Sequence, residues 1–256
     1  LRAEFPHEPT DQQTAAMLAL ARFVMTPRPR PAFVLRGYAG TGKTSLVAAL
    51  VRALKRIGRL PVLLAPTGRA AKVFSLYAGA AAFTIHKAIY RQESFNGEDT
   101  RFALGFNKLR EAVFIVDEAS MISGRAAAGS LFGTGCLLDD LVRYVYEGEN
   151  CRLLLVGDTA QLPPVGEEVS PALDGDAMAR FGLHVAGVEL SETFRVSEPR
   201  ASPTCASCPA TSSSRNSSAP TAMAARTTPS SSRAPTAGPW STTTASVPAS
   251  STARAN

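Results

Sequence analysis

Eight consecutive residues, Gly37-Tyr38-Ala39-Gly40-Thr41-Gly42-Lys43-Thr44, fit the spacing G-x-x-x-x-G-K-[ST]. That spacing suits the holding of a polyphosphate. Its glycines let successive backbone N–H groups turn inward around an anion. A helix opening at Lys43 adds about half a positive charge at its N-terminus. Lys43 then reaches the β- and γ-phosphates, and the Thr44 hydroxyl ligates Mg²⁺. From average residue usage, a chance match arises in roughly 1% of chains this long. A second pattern, Val113-Phe114-Ile115-Val116-Asp117-Glu118, runs four apolar residues into two carboxylates. At the C-terminal edge of a parallel sheet, where ligands bind, Asp117 would hold Mg²⁺ and Glu118 would polarise the attacking water. Taken alone, an Asp-Glu pair is also what a solvated strand end looks like.

These residues act together only if strands and helices bring them to one edge. Thr10 to Met25 reads as a helix capped by Thr10, with Ala16, Met17, Leu20, Phe23 and Val24 on one face. Pro27, Pro29 and Pro31 enforce an extended linker. Residues 32–35, 61–65, 113–116, 152–156 and 185–190 read as strands, several of them continuously apolar, as strands buried on both faces are. Helices are expected at 43–57, 68–76 and 136–147, closed by Gly58 and Gly148 in the first and last cases. Alternating strands and helices predict an α/β fold, a parallel sheet covered on both sides.

Further blocks say what the nucleotide is used for. The ordered set Thr10-Asp11-Gln12-Gln13, residues 37–44, Ala65-Pro66-Thr67-Gly68-Arg69-Ala70-Ala71, Thr84-Ile85-His86, Asp117-Glu118-Ala119-Ser120, Gly157 to Gly166 and Thr193-Phe194-Arg195 resembles the motifs of superfamily 1 DNA helicases, specifically the RecD-like 5′-to-3′ branch. The resemblance covers roughly residues 5–199. It implies a RecA-like P-loop domain and an ATP-dependent, Mg²⁺-requiring motor. It also implies binding of single-stranded DNA or a single-strand/duplex junction. Through it, Gln13 is expected to read adenine, with Gly37, Gly40, Thr41 and Gly42 around the phosphates. Gln161 and Arg195 are expected to sense the γ-phosphate, and Thr67, Arg69, Thr84 and His86 to contact DNA. The amide at Gln161 suits a bond that forms to a phosphate and releases after hydrolysis, and Pro163-Pro164 stiffen its segment. Arg69 reads equally as part of a solvated helix face, and Thr84 as a plain helix cap. Residues 91–110 are expected to form a small inserted hairpin pin, turned at Asn96-Gly97, with Phe95 or Phe102 stacking on a base. A plain surface loop is the alternative there.

Composition divides the chain. Of the 57 residues from Arg200 to Asn256, 44 are Ser, Ala, Thr or Pro, and none is Leu, Ile, Phe, Tyr, Lys, Asp or Glu. Such a stretch buries too little apolar surface to offset its ordering entropy. The folded domain is therefore expected over 1–199 and a disordered tail over 200–256. The abrupt change close to Arg195, not at a domain border, suggests an out-of-frame read; a genuine tail is the alternative. A second RecA-like domain, which the resemblance leads one to expect, is not legible in the tail. Unwinding by this chain alone is accordingly not expected. The formal charge of +6 belongs mostly to the tail, since residues 1–199 carry 22 basic against 21 acidic groups. Charge is thus no argument for nucleic acid. No stretch of about 18 apolar residues exists, so no membrane partner is expected. Cys136 and Cys151 read as free thiols, Cys205-x-x-Cys208 as a weak metal signal, and a reducing cytoplasmic setting and a monomer are expected. Two rival readings stay open: a P-loop ATPase that does not track DNA, and a nucleotide-binding remnant without catalysis.

Overall fold

The computed structural model describes residues 1–93, 101–126 and 129–192. The first helix, α1 (Asp11–Met25), opens on a reciprocal cap. Thr10 Oγ1 accepts from the Gln13 backbone N–H, and Gln13 Oε1 accepts from the Thr10 N–H, both at 3.2 Å. The prolines after Met25 cannot continue a helix, and the chain enters β1 (Pro31–Gly37). There follow α2 (Lys43–Arg56), β2 (Pro61–Ala65), α3 (Gly68–Ala78), β3 (Ala82–Thr84) and α4 (Ile85–Ile89). A hairpin pair, β4 (Tyr90–Glu93) and β5 (Arg101–Leu104), leads to β6 (Val113–Val116) and α5 (Leu137–Glu147). The described part closes with β7 (Arg152–Gly157), α6 (Gly175–Ala179) and β8 (His184–Leu190).

The main sheet has six strands in the order β3-β2-β6-β7-β1-β8, every pair parallel. Alternation along each strand divides its side chains between two cores. Phe33, Leu35, Val113, Ile115, Leu154 and Val156 face the side covered by α1, α2 and α3. Ala32, Val34, Phe114, Val116, Leu153 and Leu155 face the side covered by α4 and α5. Both faces are dry, which is why these strands read as unbroken apolar runs. The expected α/β architecture is present. Burying Phe33, Phe74 and Phe114 almost completely contributes about 2 kcal/mol each to holding the layers together.

Besides the short helix α6, which the sequence reading did not include, two features differ from it. A short edge strand, β3, pairs with β2 through Leu63, Leu64 and Ala65. At three residues it is too short to show a period. The second is the ladder of the inserted hairpin, which begins at Tyr90 and pairs Tyr90 with Leu104 and Glu93 with Arg101. Its expected Asn96-Gly97 turn and Phe95 lie outside the described residues.

Candidate functional site

The parallel order brings three strand ends together: β1 runs into the glycine loop, β6 into Asp117-Glu118, and β7, between them, into Gly157-Asp158. In the loop, Gly40 and Gly42 have φ of +81° and +89°, left-handed values that cost an L side chain strain. Gly42 is also a point of close approach, because a Cβ there would collide with the Gln13 amide. The Lys43 ammonium donates to the carbonyl oxygens of Gly37 (2.5 Å) and Tyr38 (2.8 Å), with Asp158 Oδ2 at 4.0 Å. Burial pushes its pKa down, and Asp158, Asp117 and Glu118 oppose that shift.

Facing the loop, the Tyr77 phenol of α3 donates to Asp117 Oδ2. Burial raises the Asp117 pKa, and the Tyr77 bond works against it. Glu118 sits in the left-handed region, φ 54° and ψ 37°. Its Oε2 accepts from Gln161 Nε2 at 2.9 Å. The other end of that amide, Gln161 Oε1, accepts from the Ser120 hydroxyl. One side chain thus ties the loop after β7 to the acidic turn after β6.

A cavity of about 880 Å³ joins these groups. Gly40, Gly42, Lys43 and Thr44 line it together with Asp117, Glu118 and Gln161. Among the described residues, no group of three or more His, Cys, Asp or Glu could hold a metal ion. An ion at Thr44 and Asp117 would therefore need oxygens from a phosphate ligand and from water, the usual way Mg²⁺ is held. The oxygen donors here fit that ion, and the loop fits a phosphate chain.

Some expected residues have structural partners. Gln13 lines the cavity but is only 1% exposed, and its Nε2 donates to the Thr41 carbonyl at 3.0 Å. The Thr41 hydroxyl is turned into the loop, donating to the Tyr38 carbonyl at 2.9 Å. Residues not foreseen as cavity walls include Phe5, His7, Tyr38, Tyr77 and Asp158. Tyr38 and Asp158 lay inside recognised motifs, whereas no spacing rule marks Phe5, His7 or Tyr77. The α1 amide next door, Gln12, accepts from the Ser191 and Glu192 N–H groups (2.9 and 3.1 Å), fixing the exit of β8. Arg195 lies beyond it, outside the described residues.

Of the residues expected to meet DNA, Thr67 caps α3, accepting from Ala70 N at 3.2 Å, and Arg69 is exposed on its first turn. Thr84 caps α4, accepting from Lys87 N at 3.2 Å. Both threonines stand at the same sheet edge as the glycine loop, after β2 and within β3 respectively. His86 is half-buried, its ring edge-on to Phe132 at 5.1 Å and 5.7 Å from Tyr90. Phe102 stacks on Phe132 with centroids 4.6 Å apart. One of its faces is thus taken within the protein, which docks the hairpin and leaves less ring for a base. Tyr90 anchors the same cluster by donating to Asp140 Oδ2 at 2.7 Å.

Comparison with known proteins places these observations. A family model described as "AAA domain" matches residues 10–206. An uncharacterised protein of Methanocaldococcus jannaschii is 37% identical over 145 residues, covering 52% of this chain and 11% of that protein. The ATP-dependent RecD2 DNA helicase of Deinococcus radiodurans is 35% identical over 136 residues, covering 52% of this chain and 16% of the helicase. The chain thus spans less than a fifth of either relative. A crystal structure of Pif1 helicase from Candida albicans superposes with a TM-score of 0.45 at 19% identity, over 73% of this chain and 41% of that one. No helix among the described residues is long and apolar enough to cross a membrane.

Proposed function

The chain belongs to the AAA domain family, and from that premise we propose that its described part is the nucleotide-hydrolysing motor domain of an ATP-dependent DNA helicase. The observation that carries this reading is the Gln161 amide, bonded at once to Glu118 and to Ser120. A group so placed feels both the residue that would activate water and the strand end beside the phosphate loop.

In this scheme the loop N–H groups and Lys43 bind the β- and γ-phosphates. Gln13, buried with its amide on the Thr41 carbonyl, braces the loop beside the adenine, and Phe5 and His7 line the cavity nearby. Thr44 and Asp117 would hold Mg²⁺, which would supply charge neutralisation at the phosphates. Glu118 accepts a proton from the attacking water, and Gln161 orients that carboxylate and meets the γ-phosphate. Arg195 adds a cation to the γ-phosphate. The opening of α3 at Thr67 and Arg69, and the cap of α4 at Thr84, bind the backbone of single-stranded DNA. The β4–β5 hairpin is the pin at the duplex junction. Movement in the 5′-to-3′ direction is taken from the motif resemblance to the RecD-like branch. Stepping needs a second motor domain that closes and opens on the nucleotide in turn. The described residues form one such domain.

The test is phosphate release with and without an oligothymidylate, in a protein carrying this chain and a second motor domain. Stimulation that is lost in Gln161→Ala supports the reading. Hydrolysis indifferent to the oligonucleotide would instead favour a P-loop ATPase that does not track DNA.

A further inference from the structure

Tyr77 has no part in the scheme above, yet it touches the residue assigned to the metal. Its phenol donates to Asp117 Oδ2 and lines the same cavity as Lys43 and Glu118. The ring is fixed from beneath: it stacks on Phe74, centroids 5.2 Å apart and planes 29° apart, and Phe74 is fully buried. Tyr77 lies near the end of α3, and Thr67 and Arg69 lie at its start. Lys55 of α2 holds the far end, donating to the Gly79 carbonyl at 3.2 Å. The helix is therefore a single rigid link between an exposed, phosphate-suited N-terminus and the Asp117 carboxylate.

We propose that Tyr77 is a positioning residue for Asp117. Its phenol holds one carboxylate oxygen and leaves the other for the hydrated ion that accompanies the nucleotide. The affinity of that ion then depends on where α3 sits, and so on whether a polynucleotide phosphate occupies its start. This rests on the nucleotide and DNA assignments made above.

Tyr77→Phe keeps the ring on Phe74 and removes only the hydroxyl. Mn²⁺ replaces Mg²⁺ and is titrated, with its EPR signal as readout, into protein loaded with a non-hydrolysable ATP analogue, with and without oligothymidylate. The expected result is Mn²⁺ affinity about tenfold weaker in Tyr77→Phe, the usual effect of losing a group that orients a metal ligand. The shift that oligothymidylate produces in the wild type should disappear, and metal-free nucleotide affinity should not change. Unaltered Mn²⁺ affinity, or a preserved oligonucleotide shift, overturns the inference alone. Loss of metal-free nucleotide binding overturns it too, by making Tyr77 a residue of the fold. A wild type whose nucleotide binding ignores both metal and oligonucleotide overturns the assignments beneath it as well.

Discussion

Glu118 combines a strained backbone with a chemical role. An L residue in the left-handed region costs roughly 1–2 kcal/mol, and Glu118 sits there at φ 54°. The turn that imposes this strain also brings its carboxylate to Gln161. Glu118→Gly should therefore raise the thermal midpoint, by about 1 kcal/mol of stability, while abolishing phosphate release. A midpoint that falls would show that the turn is not strained. Gln161→Ala should leave nucleotide affinity nearly intact and slow hydrolysis on the order of 100-fold, as loss of a preorganised donor does. Equal losses in binding and turnover would make Gln161 an ordinary ligand. Both residues were legible in the sequence, because each stands at a fixed place after a buried apolar strand. Tyr77 was not. Its contact with Asp117 spans two elements, and no local spacing encodes the packing of α3 beside the end of β6.

At the scale of elements, the buried strands and the four long helices were readable from apolar runs, caps and terminal glycines. The resemblance already assigned Gln13 to the nucleotide, but not the bond by which its cap braces the phosphate loop. The Thr10–Gln13 box starts α1, and the same Gln13 amide braces the Thr41 carbonyl of the phosphate loop. Thr10→Ala should cost about 1 kcal/mol of stability and weaken nucleotide binding as well. Chemical denaturation and a nucleotide titration on the same variant check both; a stability loss with unchanged affinity would separate the cap from the loop. The hairpin was anticipated as an insertion, but its anchoring was not. Phe102, Phe132, His86 and Tyr90 form one aromatic cluster, and sequence separation hides such a cluster from any periodicity.

For the molecule as a whole, that cluster gives a pH signature. Burial lowers the His86 pKa below its ordinary 6.5, so the unfolded chain takes up a proton more readily than the folded one. Stability contributed by neutral His86 is thus full above about pH 6.5 and is lost as pH falls through the folded-state value. Urea midpoints from pH 8 to pH 5 should decline on the acid side, less so in His86→Phe; identical slopes would remove His86 from the account. The strand order is the other property of the whole. Separate motifs announced a phosphate loop, an acidic pair and a sensing amide, but only the order β6-β7-β1 puts all three around one cavity. Titration of a fluorescent ATP analogue tests that convergence most directly. The account predicts saturable binding that Mg²⁺ strengthens, that ATP displaces, and that disappears in Lys43→Ala. Binding of equal strength in Lys43→Ala, or none in the wild type, would contradict it.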